Sequence, residues 1–133
     1  MQDLFSVAGK TALVTGGSRG IGAMIAEGFV RSGAKVYITS RKVKELEETQ
    51  QRLSKLGECI AIPSDLSQLE GINQLAEALA ARESKLDILI NNAGATWGSP
   101  IDEFPESGWD KVMDLNVKSV FFLSQKLLPL LRE

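Results

Sequence analysis

Four short apolar, β-prone runs alternate along the chain with longer stretches in which apolar residues recur every three or four positions. The runs cover about Lys10–Val14, Ala34–Thr39, Glu58–Ile62 and Leu86–Ile90. Their near-continuous apolar character suits strands of a parallel sheet covered on both faces. After the first run, about Gly20–Ser32 reads as a helix with Ile21, Ile25 and Phe29 on one face, Ala26 and Val30 beside it, and Met24 as a packing residue. Gly33 is a fitting stop. Val43, Leu46, Leu53 and Leu56 mark a second helix opened by Ser40-Arg41-Lys42 and closed by Gly57, with Arg41–Glu45 and Lys44–Glu48 spaced as exposed ion pairs.

Leu69, Ile72, Leu75 and Leu79 mark a third helix reaching about Glu83, with Asp65 or Ser67 as its cap and Gly71 weakening its first turn. A final helix is predicted from Ser107 or Gly108 to about Leu128, carrying Trp109, Val112, Met113, Asn116, Val117, Val120, Leu123 and Leu127; Pro129 opposes its continuation. The alternation predicts an α/β fold. It is a doubly wound parallel sheet, Rossmann-like in three α/β/α layers and of strand order 3-2-1-4, truncated after the fifth helix region.

In such a sheet, ligands bind outside the carboxyl ends of the strands, so the connections there carry the chemistry. The first, Thr15-Gly16-Gly17-Ser18-Arg19-Gly20-Ile21-Gly22, joins strand to helix through glycines spaced G-x-x-x-G-x-G. Backbone N–H groups and the positive helix end can there cradle a phosphate. No Lys-Ser/Thr pair follows the last glycine, which argues against a nucleoside-triphosphatase loop. A dinucleotide would then place its adenosine ribose at the end of the second strand. That position holds Thr39-Ser40-Arg41-Lys42, with no acid before Glu45. A carboxylate there would repel a 2′-phosphate, whereas a guanidinium binds one bidentately. With Arg19 approaching from the glycine turn, the pattern favours NADP(H) over NAD. Asp65 is placed to accept from an adenine amino group. Asn91 and Asn92 can satisfy backbone groups across neighbouring loops. Asn116 stands out as an amide within an apolar helical pattern, where it needs partners. Trp97, in the long connection 96–108, either packs locally or lines a substrate mouth.

Composition narrows the classes further. The 133 residues are 44% hydrophobic and 24% charged, ordinary for one globular domain. Fifteen basic and seventeen acidic residues give a net charge of −2, which offers no footprint for nucleic acid or an anionic membrane. There is no histidine, and the one cysteine, Cys59, falls in a strand and reads as core, so neither a metal site nor a disulfide framework is expected. No run is long enough to span a membrane. The start, Met1-Gln2-Asp3-Leu4-Phe5, lacks the layout of a signal peptide, so a cytoplasmic location is expected.

Thr15–Gly22, Asp65-Leu66, Asn91-Asn92-Ala93-Gly94 and Leu115-Asn116-Val117, in this order over nearly the whole chain, resemble the short-chain dehydrogenase/reductase family in its NADP-preferring form. The resemblance implies an NADP-dependent oxidoreductase moving hydride between NADPH and a carbonyl or alcohol, with ketones and 3-ketoacyl compounds as plausible substrates. It implies that Gly16, Gly20, Ile21 and Gly22 hold the pyrophosphate region. Ser18, Arg19, Ser40, Arg41 and Lys42 would surround the adenosine phosphate. Asp65 and Leu66 would meet adenine, Asn91, Ala93 and Gly94 would flank the cofactor ribose, and Asn116 would be the catalytic asparagine that holds a proton-relay water. The family's serine and Tyr-x-x-x-Lys pair are not present. Tyr37, the one tyrosine, lies in the second strand. Residues 1–133 are therefore expected to form an incomplete NAD(P)-binding domain, the complete protein being a homodimer or homotetramer. The alternative is a noncatalytic NADP-binding or regulatory module; a scaffold without nucleotide is a weaker third.

Overall fold

The strand runs become strands because their alternate residues reach two different cores. A computed structural model describes residues 4–133; Met1–Asp3, part of the stretch read for a signal peptide, lie outside the described residues. Strand β1 (Thr11–Thr15) is fully buried. It pairs in parallel with β2 (Lys35–Thr39) on one side and β4 (Ile88–Ile90) on the other, while β3 (Cys59–Ala61) pairs in parallel with β2. The order β3-β2-β1-β4 is the one expected. Leu13 stands opposite Tyr37 and Leu89, and Val14 opposite Ile38 and Ile90. Because successive side chains point to opposite faces, Leu13 and Tyr37 enter one core and Val14, Val36 and Ile38 the other.

Helices α1 (Gly20–Arg31) and α2 (Val43–Ser54) cover the Val14 face. Helices α3 (Leu69–Ala80) and α5 (Ser119–Leu131) cover the Leu13 face. Leu46, Leu53, Leu79 and Leu127 are completely buried, each contributing about 1.5–3 kcal/mol. Cys59 is in the core as expected, and burial pushes its thiol up to about 11.

Three local expectations are corrected. In α1 the fully buried residues are Gly22, Ala23, Ala26 and Val30, while of the larger stripe Ile25 and Phe29 are half-buried against the core. Ile21 is 69% exposed and Met24, expected to pack, is 71% exposed. The small residues let α1 lie close to the sheet and the glycine turn, so side-chain size decided the face over hydrophobicity. Neither Arg41–Glu45 nor Lys44–Glu48 closes as an ion pair among the described residues; instead Glu27 of α1 meets Arg31 and Arg52, joining α1 to α2. The last helix is not continuous. Helix α4 (Glu106–Met113) passes through a π-turn at Asp114–Lys118 into α5, which runs on through Pro129 to Leu131. The proline falls in the final turn, where buried Leu127 and Leu130 and the Leu86 N–H bond to the Leu130 carbonyl (3.0 Å) dock the helix end.

At the amino ends of the strands, the buried Tyr37 hydroxyl donates to Glu83 Oε2 (2.5 Å), which also receives Lys35 Nζ (2.6 Å). Burial, then the bond to Glu83, pushes Tyr37 up to about 12. Burial would raise Glu83, but hydrogen bonds from Lys35 and Tyr37 hold it below the ordinary carboxylate value. Glu83→Ala leaves a buried phenol unpaired and is expected to cost about 1–3 kcal/mol in chemical denaturation. With Glu83 present, its contribution holds above the unfolded carboxylate pKa and is lost as pH falls through the depressed one. The Tyr37 contribution holds below the phenol's ordinary value and is lost as pH rises toward about 12. A native acid limb in Glu83→Ala would contradict the first of these.

Candidate functional site

Where β1 leaves the sheet, two glycines turn the chain into α1. Gly16 and Gly20 have φ of +64° and +57°, the left-handed region that a side chain disfavours. A Cβ on Gly22 would overlap the Gly16 carbonyl oxygen, so the turn lies directly on the helix start. Neighbouring elements hold the turn. Gly17 N–H donates to the Thr39 carbonyl (3.2 Å), Thr49 Oγ1 to the Ser18 carbonyl (2.5 Å), Ser18 Oγ to Ser40 Oγ (3.3 Å) and Asn92 Nδ2 to the Gly16 carbonyl (3.3 Å). At the end of β1, buried Thr15 Oγ1 accepts from the Asn92 and Ala93 N–H groups (both 2.9 Å) and donates to the Ile90 carbonyl (3.3 Å), coupling the turn to β4.

The first N–H groups of α1 have no helical acceptor one turn back, and its N-cap, Arg19, makes no side-chain capping bond. Gly20 faces open space, with nothing within 4 Å of where a Cβ would stand, and Ile21 is exposed beside it. Arg19, Arg41 and Lys42 are exposed and enter no ion pair among the described residues, and Ser40 Oγ accepts from the Lys42 N–H (3.2 Å). The Ser18–Ser40 bond thus brings the turn that carries unspent donors and Arg19 beside the segment that carries Arg41 and Lys42, an arrangement suited to phosphate groups.

Asp65 does not cap α3. Its Oδ1 accepts from Ser67 N–H (3.0 Å) and Ser67 Oγ (2.6 Å), while the N-cap is Gln68. A Cβ on Gly71 would run into the Asp65 carbonyl, so that glycine is a close-approach residue, not merely a weak point. The Leu66 side chain is in the core and leaves only its backbone for a ligand. After β4, Asn91 Nδ2 reaches Ser124 Oγ (3.4 Å), and Ala93 lies against the glycine turn at Gly16. Asn116 is exposed, not buried as its apolar surroundings in sequence suggested. Its amide is anchored on the loop: Oδ1 accepts from Ala95 N–H and Nδ2 donates to the Ala95 carbonyl, both at 2.8 Å, leaving one N–H and one lone pair over. A Cβ on Gly94 would come 2.9 Å from Asn116 Oδ1.

Trp97 packs locally, as one of its two readings has it. Its ring lies on Gly108, and it lines an apolar cleft of about 430 Å³ with Phe104, Trp109, Met113 and Asn116. A cleft of similar size, about 440 Å³, lies at the amino ends of the strands. Its charged groups Arg31, Lys35 and Glu58 are already paired, which makes it the weaker candidate. Among the described residues no group of three or more His, Cys, Asp and Glu could hold a metal, and no helix is long and apolar enough to cross a membrane.

The model of the short chain dehydrogenase family matches residues 10–133. The chain belongs to the short-chain dehydrogenase/reductase family. Among relatives in this family, a rhamnolipids biosynthesis 3-oxoacyl-[acyl-carrier-protein] reductase of Pseudomonas aeruginosa is 54% identical over 132 residues, 99% of this chain and 52% of that protein. Gluconate 5-dehydrogenase of Gluconobacter oxydans is 38% identical over 124 residues, 92% of this chain and 48% of that protein. Among solved structures, the Pseudomonas aeruginosa RhlG/NADP active-site complex superposes with a TM-score of 0.93 at 55% identity, covering 99% of this chain and 52% of that one. The chain spans about half the length of the curated relatives it matches.

Sequence reasoning missed the residues that hold the site together. Thr15 opened the recognised glycine turn but gave no sign of its three bonds. Thr49 lay in an interrupted helical stripe, and Ser119 looked like one more polar helical position. Each acts through a contact with a distant or differently wound segment.

Proposed function

We propose that residues 1–133 bind NADP(H) and form the cofactor-binding part of an oxidoreductase that reduces a ketone or 3-oxoacyl carbonyl. The observation that carries this is the acid-free end of β2, where Arg19, Arg41 and Lys42 stand unpaired beside an uncapped helix start. Gly16, Ser18, Gly20, Ile21 and Gly22 approach the pyrophosphate, and Ser40, Arg41, Lys42 and Arg19 receive the 2′-phosphate. Asp65 and the Leu66 backbone meet adenine, while Asn91, Ala93 and Gly94 flank the ribose next to nicotinamide. When bound, NADPH supplies the hydride. Asn116 is the catalytic residue on this chain, its position held by Ala95, and orders the water that carries the proton. The Pseudomonas aeruginosa structure is an NADP complex, which supports the cofactor, and the 54% identical relative is a 3-oxoacyl-[acyl-carrier-protein] reductase, which supports the substrate class.

The complete protein is expected to consume NADPH when given a 3-oxoacyl thioester or ketone. Asn116→Ala should lower turnover about 100-fold while leaving the NADPH dissociation constant within about twofold. Loss of NADPH affinity without any carbonyl-dependent oxidation would overturn the reductase reading.

The 133-residue polypeptide by itself has a second reading, binding without turnover, because its one tyrosine is buried and bonded to Glu83 away from the site. We place the protein in the cytoplasm as a homodimer or homotetramer. The exposed Trp109, Val117, Phe121 and Leu128 support association.

A further inference from the structure

We propose that Ser119 is a positioning residue for Asn116, locking the π-turn that presents the asparagine to the site. The proposal rests on the role given to Asn116 above. At the end of the turn the Ser119 N–H bonds to the Asp114 carbonyl, five residues back, instead of to Leu115 four residues back. That shift leaves the Leu115 carbonyl without its α-helical donor. The Ser119 hydroxyl takes the place of the missing N–H and donates to Leu115 O at 2.5 Å. Ser119 is 3% exposed, so water is a poor substitute for that hydroxyl.

One residue thus closes the wide turn with its backbone and satisfies the displaced carbonyl with its side chain. A serine or threonine bonding four residues back is common in helices and usually does no more than bend them. Here it occurs where the backbone bond has moved to five residues, so the hydroxyl stabilises the wide turn relative to the ordinary one.

The register matters because α5 and Asn116 make incompatible demands on a regular helix. Helix α5 must keep Leu123 and Leu127 in the core. Asn116 must face Ala95 to make its two 2.8 Å bonds. In an α-helix each residue turns about 100° about the axis. Removing the extra residue from the turn would swing Asn116 by about that angle relative to α5 and break both bonds. Gly94, whose missing side chain makes room for Asn116 Oδ1, leaves the asparagine close against the loop in the observed register.

The test compares Ser119→Ala with Ser119→Thr, which keeps a hydroxyl able to reach the same carbonyl. Two quantities are read in the complete protein: hydrogen exchange of the Ala95 amide, and steady-state kinetics with NADPH and a 3-oxoacyl thioester. Ser119→Ala should speed Ala95 exchange and lower kcat by about tenfold, the worth of one buried hydrogen bond, with KM for NADPH within about twofold. Ser119→Thr should return both toward native values. Native exchange at Ala95 in Ser119→Ala would overturn the proposal, as would equal losses in the alanine and threonine variants. If Ser119→Ala and Asn116→Ala both speed exchange but neither lowers kcat, the lock stands and the catalytic role of Asn116 falls.

Discussion

Gly22→Ala is expected to abolish NADPH binding and to destabilise the protein, whereas Gly28→Ala, six residues along the same helix, should stabilise it. At Gly22 a Cβ would overlap the Gly16 carbonyl and stand 2.6 Å from Asn92 Nδ2. Both neighbours are pinned, Asn92 by Thr15 and Gly16 by Asn92 itself, so neither can move without opening the turn. Overpacking of this kind costs about 1–3 kcal/mol. The displaced atoms belong to the turn proposed to cradle the phosphates, so affinity is expected to fall with stability. At Gly28 nothing lies within 4 Å of the added methyl. There the substitution only removes glycine's backbone freedom in a helix interior, a gain of about 0.5–1 kcal/mol. Chemical denaturation and NADPH titration of both variants check this. Equal shifts of the same sign would mean that the turn does not rest on α1 as described.

Arg41→Glu should weaken NADPH binding by about 10- to 100-fold and leave NADH nearly unchanged. A hydrogen bond between charged groups contributes about 1.5–3 kcal/mol, and each 1.4 kcal/mol is tenfold in affinity. The substitution removes the guanidinium and puts a carboxylate beside the 2′-phosphate. Arg41 is exposed, so the native preference should also shrink as salt screens the pair. Isothermal titration at two ionic strengths separates these effects. Equal losses for the two cofactors would place Arg41 outside the 2′-phosphate site.

The sheet was legible because short, near-continuous apolar runs alternate with stretches of helical period, and its order because that alternation is expected to take the usual doubly wound arrangement. The glycine turn was legible because positive φ and close approach both demand glycine, and Gly16, Gly20 and Gly22 occupy those places. What the pattern hid was set by fit. Ile21, Met24 and Ala26 are all apolar, and only the space between α1 and the sheet decides that the alanine goes inside. The π-turn was hidden because its residues, Asp114–Lys118, continue the apolar arc of a regular helix. Only the bonds of Ser119 and Asn116 show the change of register. The same holds for Thr49, whose bond to the glycine turn crosses from α2.

The most direct test is a side-by-side titration of the wild-type protein with NADPH and NADH at one low ionic strength. Arg19, Arg41 and Lys42, with no acid between the end of β2 and Glu45, predict NADPH binding at least about tenfold tighter, the share of one charge-assisted bond to the 2′-phosphate. Equal affinities, or tighter NADH, would contradict it.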